Sequence, residues 1–298
     1  MTMEASVVGK KRNNVVVLGN SIARKKRCIK RTKQYKKPTM SMTLQKLFTS
    51  CKQVFKGPGT IPNSLEVQNL RHILDNMNPE DLGLSTALLF FKSGGVTAGT
   101  PSITYTTVCK TQNFSMCLFF LPPSAVIPLH NHPGMTVFSK LLLGSMHIKS
   151  YDWVDSDMAT SSQLRLAKLK ADNVFTAPCN TSVLYPTSGG NIHAFTALTP
   201  CALLDVIGPP YSKEDGRDCS YYRDFPCSVS IDSAVDEALE RKNWWNMSSK
   251  PCCPMDEALE ALEGKDVYGL LEEIEMPKDL KMEGIEYLGP QIIEEAAV

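Results

Sequence analysis

Residues 124–144 read SAVIPLHNHPGMTVFSKLLLG, and this stretch decides the fold. Val126 to His130 and Met135 to Leu143 are apolar, β-branched runs, and Pro133-Gly134 between them supplies a turn, so the segment reads as two strands. His130 and His132 are separated by one residue. On extended backbone, side chains two positions apart leave from the same face, so both imidazoles can chelate one ion. Alone, such a pair is a weak signal; it gains weight from what surrounds it.

The same reading extends outward. Ile103 to Val108, Phe114 to Leu121, Met146 to Trp153, Val174 to Ala177, Ser182 to Tyr185, His193 to Leu198 and Ala202 to Ile207 are further short β-prone runs. Gly, Pro, Asn and Ser separate them, and no helix-length crossover intervenes. This pattern predicts an antiparallel sandwich or barrel rather than a parallel sheet. No repeat at a solenoid or propeller period is present.

Two helices are expected ahead of the strands. Leu44, Leu47, Phe48, Cys51, Val54 and Phe55 form one stripe that Gly57-Pro58-Gly59 ends. A second helix starts at Asn63, whose side chain can cap free amides while Glu66 reaches back; Val67, Leu70, Leu74 and Met77 supply its buried face. His72 on this helix is expected to pack or meet solvent. Beyond Pro226, a mostly acidic stretch with Trp244, Trp245 and a helical Asp256 to Leu262 reads as a surface insertion over about 227–262. Gly284 to Gly289 alternates like a strand that rejoins the barrel.

At 298 residues, one all-β domain with helical additions accommodates the chain. An apolar fraction of 43% and a charged fraction of 21% separate no enzyme class from another. The distribution of charge says more. Residues 1–40 carry twelve Lys or Arg against Glu4, leaving twenty basic and thirty acidic residues downstream. An arm this basic cannot bury enough apolar surface to order itself, so residues 1–41 are expected to be disordered, with 42–290 as the folded domain and 291–298 as a tail. Within the arm, Lys10, Lys11 and Arg12 followed by Arg24, Lys25, Lys26 and Arg27 form a bipartite nuclear-import pattern, which implies an import receptor binding residues 10–27.

The ten cysteines have no zinc-knuckle or thioredoxin-like spacing, and no signal-peptide core or bilayer-length apolar run occurs. These features predict a reducing compartment, nucleus and cytoplasm, with no membrane role. Tyr35 is the arm's only aromatic, so nucleic-acid binding has little support. Short edge strands and an acidic body predict a monomer.

Ser124, His130, His132 and Gly144 fall at the spacing of the first cupin motif, and Gly190 with His193 matches the second. The chain thus resembles the cupin superfamily. The resemblance implies a mainly β fold, a double-stranded β-helix barrel with the N-terminal helices packed outside, and a metal held by His130, His132 and His193. Most metal-binding cupins add a Glu four or five residues after the second His, where this chain has Thr136 and Val137. Three neutral ligands leave a ferrous ion its full charge, so a substrate thiolate can bind strongly. Irving–Williams affinities favour copper or zinc at such a site, so Fe(2+) is what the resemblance, not the ligand set, implies. His147 has no motif partner and reads as structural.

Leu203-Leu204-Asp205-Val206-Ile207-Gly208-Pro209-Pro210-Tyr211, followed by Arg217-Asp218-Cys219-Ser220-Tyr221-Tyr222, closely resembles the plant cysteine oxidases and their animal relative, cysteamine dioxygenase. This likeness spans roughly residues 42–290. It implies that Asp205 lies near the metal's open face and meets the substrate's α-ammonium. Capping of the turn at Gly208-Pro209-Pro210 is the alternative, although an ionised acid among Leu, Val and Ile needs a partner. Tyr211 and Cys219 match pocket positions, and Tyr221 matches a position that can crosslink to cysteine in the animal relative.

The implied activity is addition of both atoms of dioxygen, the co-substrate, to the sulfur of an N-terminal cysteine, giving cysteine sulfinic acid. The implied clients are proteins such as group-VII ethylene-response transcription factors, which this oxidation marks for arginylation and degradation, making the enzyme an oxygen sensor. Two other readings stand beside it: oxidation of a small thiol such as cysteamine or cysteine, and a non-catalytic cupin that binds a ligand or partner.

Overall fold

A computed structural model describes residues 40–85, 101–154, 164–227 and 267–294. The import pattern of the basic arm, nearly all of the expected insertion with Trp244 and Trp245, and the last half of the C-terminal tail lie outside the described residues. No helix among the described residues is long and apolar enough to cross a membrane.

Helix α1 (Met42–Val54) starts where the Ser41 hydroxyl accepts from the Leu44 amide, and buries the expected stripe. Helix α2 (Ser64–Asp75) carries the full capping box: the Asn63 side chain accepts from the amides of Leu65 and Glu66, and the Glu66 carboxylate accepts from the Asn63 amide. A short 3-10 turn at Pro79–Leu82 follows, stopped by Gly83 at φ +74°.

The strands are β1 (Ile103–Lys110), β2 (Ser115–Leu121), β3 (Val126–His130), β4 (Thr136–Leu143), β5 (Ser145–Trp153), β6 (Leu164–Thr176), β7 (Ser182–Leu184), β8 (Ile192–Ala197), β9 (Cys201–Gly208), β10 (Tyr221–Cys227), β11 (Tyr268–Ile274) and β12 (Met282–Gly284). One sheet has the order β12-β1-β2-β9-β4-β7, antiparallel except for the β1–β12 pair. The other runs β10-β11-β6-β5-β8-β3 and closes on itself through Tyr221 against His130.

The first sheet is covered on both faces. Leu44, Leu47, Phe48, Leu70 and Leu74 of the helices pack on Met116, Leu118, Phe138, Leu204 and Val206, while Leu121, Leu141 and Leu203 on the opposite face meet Ile127, Met146 and Phe195 of the second sheet. This explains why β9 is buried at every position and reads as an apolar run broken only by Asp205. Lys140, buried on β4, ties α2 to the sheet: its Nζ donates to the Cys179 carbonyl at 2.7 Å and lies 3.9 Å from the Asp75 carboxylate.

The mainly β architecture with helices outside is as the sequence predicts; three details differ. The run expected at Val174 to Ala177 is the end of the long strand β6. β10 and β11 pair along their whole length, adding a hairpin-like unit where no strand was expected. Gly284 to Gly289 is not a strand: pairing stops at Gly284, with the Ile285 amide donating to the Tyr105 carbonyl, and most of the following side chains are exposed.

Candidate metal centre

His130 ends β3, paired with His193 on β8, and His193 in turn pairs with Ser150 on β5. His132 lies two residues past β3, in the turn that Pro133 and Gly134 make. Chain direction and register therefore bring three imidazoles from two separate segments together. Their ring centroids are 4.8–4.9 Å apart, and one ligand nitrogen from each lies within 4.8 Å of the others. All three are buried, and among the described residues no carboxylate joins the group.

Burial pushes all three imidazoles below the usual histidine range, and for His132 and His193 the neighbouring rings push further. They stand as neutral donors. Nδ1 of His130 lies 2.8 Å from the Pro128 carbonyl oxygen and so carries the proton, which leaves Nε2 bare. Nδ1 of His132 lies 2.8 Å from the Tyr211 hydroxyl, while Nε2 of His132 lies 3.0 Å from Nε2 of His193. Two lone pairs at that distance repel unless a proton or cation sits between them. Nitrogens about 2.1 Å from a shared metal at a right angle fall about 3 Å apart, so the donor set fits a divalent metal.

The missing cupin carboxylate has a structural explanation. Alternation along β4 turns Val137 inward, where it packs with Met135, Leu184, Ile207 and Tyr211. The position where the motif carries its Glu is thus filled by an apolar side chain.

Asp205 on β9 stands opposite Cys117 on β2 and Ser139 on β4. Leu203 and Ile207 show that this side of β9 faces the barrel interior. The carboxyl is buried, Oδ1 has no hydrogen-bond partner, and burial pushes its pKa up to about 7 against the opposing effect of the Ser139 hydroxyl. The carboxyl thus faces the interior rather than the turn at Gly208-Pro209-Pro210.

Tyr211 and Cys219 lie together. Burial pushes the Tyr211 phenol well above its usual range, with Cys219 and Asp205 adding to the effect. The Cys219 thiol is pushed up to about 11 by burial, while hydrogen bonds with Tyr221 and Tyr211 pull it down. Cys219 is a free thiol. The Tyr221 ring stands 6.5 Å from that of His130. His147 pairs with Asp172 at 2.6 Å on the surface, and His72 is exposed on α2, as expected of residues without a site role.

Three residues near the centre escape sequence reading. Asn131 ties the Cys219–Tyr221 segment to the histidines: its amide donates to the Ser220 carbonyl, its Oδ1 accepts from the Ser220 amide at 2.8 Å, and its Nδ2 donates to Tyr222. Asp152 and Asn191 hold the loop before His193. An acid amid the aromatic residues Tyr151 and Trp153, and the run Gly189-Gly190-Asn191, were the signals available in the sequence.

Residues 73–292 match the PCO_ADO family. "Plant cysteine oxidase 2" of Arabidopsis thaliana is 46% identical over 269 residues, covering 89% of this chain and 88% of that protein. "Plant cysteine oxidase 1" of the same organism is 52% identical, covering 70% and 73%. "2-aminoethanethiol dioxygenase" of Mus musculus is 28% identical, covering 62% and 80%.

Proposed function

The chain belongs to the PCO_ADO family, and from that premise we propose that it is an iron-dependent dioxygenase converting an N-terminal cysteine of target proteins to cysteine sulfinic acid. The observation that carries the reading is the pairing of a carboxylate-free set of three buried histidines with a buried Asp205 whose Oδ1 lacks a partner. The thiol takes up both oxygen atoms, RSH + O₂ giving RSO₂H, so no external reductant is needed. Higher identity to the plant cysteine oxidases than to the murine 2-aminoethanethiol dioxygenase favours a peptide over a small thiol.

Bound at His130, His132 and His193, ferrous iron supplies the one-electron chemistry that dioxygen requires and a dipositive charge that favours the substrate thiolate. The protein contributes the rest. Neutral imidazoles leave that charge undiminished. The partnerless Asp205 oxygen supplies an acceptor for the α-ammonium of the terminal cysteine, and ion pairing offsets the cost of ionising this carboxyl. Val137, Ile207 and Leu184 keep water from the inner wall. The Tyr211 hydroxyl, held between His132 and the Asn131 carbonyl, fixes the pocket wall beside His132, with the Cys219 thiol next to it.

In the cell, this chemistry suits oxygen sensing through an N-degron, with group-VII ethylene-response transcription factors as clients. Basic residues 10–12 and 24–27 support residence in nucleus as well as cytoplasm.

The test incubates the full chain with Fe(II) in air beside a Cys-initiated peptide, its N-acetylated form, free cysteine and cysteamine, followed by mass spectrometry. Expected is a gain of two oxygens on the free-amine peptide, with kcat/KM falling about 30-fold or more on acetylation, as for loss of one partner of a buried charge pair. Oxidation of free thiols alone overturns the peptide substrate. No oxygen uptake with any thiol leaves only a binding role.

A further inference from the structure

We propose that Asp152 and Asn191 form a two-part clamp that positions His132 and His193 for metal binding. The inference rests on the metal reading of the three histidines. Asp152 is buried on β5 and accepts three consecutive backbone amides: Gly189 on Oδ2 at 2.9 Å, and Gly190 and Asn191 on Oδ1 at 2.8 and 3.0 Å. Gly189 and Gly190, with φ of +83° and +84°, give the loop the left-handed turn that aims these successive amides at one carboxylate. Side chains are also excluded by space. A Cβ on Gly190 would lie 2.6 Å from Ser150 Oγ, and one on Gly189 would lie 2.9 Å from the Val183 carbonyl oxygen.

The loop fixed this way acts in two directions. Downstream it leads directly into β8, where Ile192 pairs with Tyr151 and His193 with Ser150, next to Asp152 itself. Sideways, Asn191 grips the backbone of His132: Oδ1 accepts its amide at 3.1 Å, and Nδ2 donates to its carbonyl at 2.9 Å. A further bond from Nδ2 to the Tyr185 carbonyl, 2.7 Å, holds the amide orientation. The carboxylate on β5 thus sets the spacing between ligands that belong to different chain segments, including the 3.0 Å separation of their Nε2 atoms. A carboxylate suits the task because it is acceptor-only; an Asn there would turn an NH₂ group against at least one amide donor.

Asp152 and Asn191 are positioning residues, and the test reads metal geometry and affinity rather than turnover. Co(II) is titrated into the full metal-free chain and its visible spectrum and competition against a chelator are followed for the parent, Asp152→Asn, Asn191→Ala, the double variant and His193→Ala. Expected is a 10- to 100-fold weaker Co(II) affinity with an altered spectrum in each single clamp variant, as for other residues behind metal ligands. The double variant should lose less than the product of the two, because both act through one loop. Phe55→Ala, in the helix-facing core, lowers stability and should leave Co(II) affinity unchanged. If Asp152→Asn fails to fold, Asn191→Ala carries the same test, since its side chain serves only His132 and Tyr185. Affinity within twofold of the parent and an unchanged spectrum in folded clamp variants overturn the proposal. Absence of Co(II) binding in the parent, or equal binding in His193→Ala, brings down the metal reading itself and the clamp with it.

Discussion

The Tyr211 hydroxyl sits 2.8 Å from Nδ1 of His132 and 3.0 Å from the Asn131 carbonyl oxygen. A phenol has one proton, and a carbonyl can only accept, so the chain of bonds has one consistent direction. His132 Nδ1–H donates to Tyr211, and Tyr211 donates to Asn131. This fixes the tautomer of His132 with its lone pair on Nε2, the nitrogen facing His193.

Tyr211→Phe should therefore act on the metal through His132. Without the acceptor the Nδ1 proton is no longer held, and about 10-fold of metal affinity is expected to be lost. Stability should fall by about 1 kcal/mol for the missing buried bond. Chelator competition checks the first and urea denaturation of the metal-free protein the second; unchanged affinity would show that the phenol does not set the tautomer.

Asp205→Asn has opposite effects on folding and on substrate. In the unfolded chain the carboxyl titrates near its ordinary value of about 4, and in the metal-free fold at about 7. Below about 4 both states are protonated and the residue contributes nothing. As pH rises from 4 to 7 the unfolded chain releases a proton that the folded chain retains, so the folded state loses relative stability, up to a ceiling of about 4 kcal/mol above pH 7. The metal-free Asn variant should therefore be more stable than the parent at pH 8, with the gap closing near pH 4. Its KM for a Cys-initiated peptide should nevertheless rise at least about 10-fold, because the ammonium loses its counter-charge. Denaturation at the two pH values and steady-state kinetics check both halves.

What was legible in the sequence depended on short-range pattern. His130 and His132 needed only the two-residue alternation of a strand, and the capping box of α2 needed only Asn63 and Glu66 three apart. For Asp205, an acid set in an otherwise apolar run signalled the need for a partner, while its place towards the metal came from the family resemblance. β11 was missed because Glu272 and Glu273 break its alternation and its burial is partial. β6 carries Arg165, Lys168 and Lys170 among residues of which only Ala167 is fully buried, which hid all but its C-terminal end. Gly284 to Gly289 alternates, but among the described residues no strand pairs with it beyond Gly284. Asp152 bonds to amides 37 to 39 residues away, and Asn191 to a backbone 59 residues away. Contacts of that kind leave no periodicity to read.

Gly208→Ala tests how α1 is seated. A Cβ there would stand 2.1 Å from the Phe55 ring, which closes the C-terminal end of α1 and stacks on Phe114. The backbone or the helix must shift, and a loss of about 1–3 kcal/mol is expected from the overpacking. Phe55→Ala alone should cost about 3–5 kcal/mol. Combined, the two should cost less than their sum, since truncating the ring makes room for the methyl. Additive losses in urea denaturation would mean that the two side chains do not compete for one space.

The two ends of the first histidine motif should respond with opposite sign. Ser124 occupies a position where the motif has Gly, and its φ is +67°, the left-handed region that costs an L-residue about 1–2 kcal/mol. Its amide still donates to the Ala197 carbonyl at 2.8 Å, so the turn forms despite the strain. Ser124→Gly removes that strain but adds unfolded-state freedom worth about 0.5–1 kcal/mol, so a net gain of about 0.5–1 kcal/mol is expected. Gly144, at φ +91°, has no such latitude: a Cβ would lie 2.3 Å from the Pro200 carbonyl oxygen and 2.8 Å from Cys201 Sγ. Gly144→Ala should combine the backbone cost with a clash against main chain that has little room to give, a loss of at least about 2 kcal/mol. Thermal or urea denaturation of the two variants checks the pair, and a destabilised Ser124→Gly would show that the serine side chain, not the backbone angle, governs that turn.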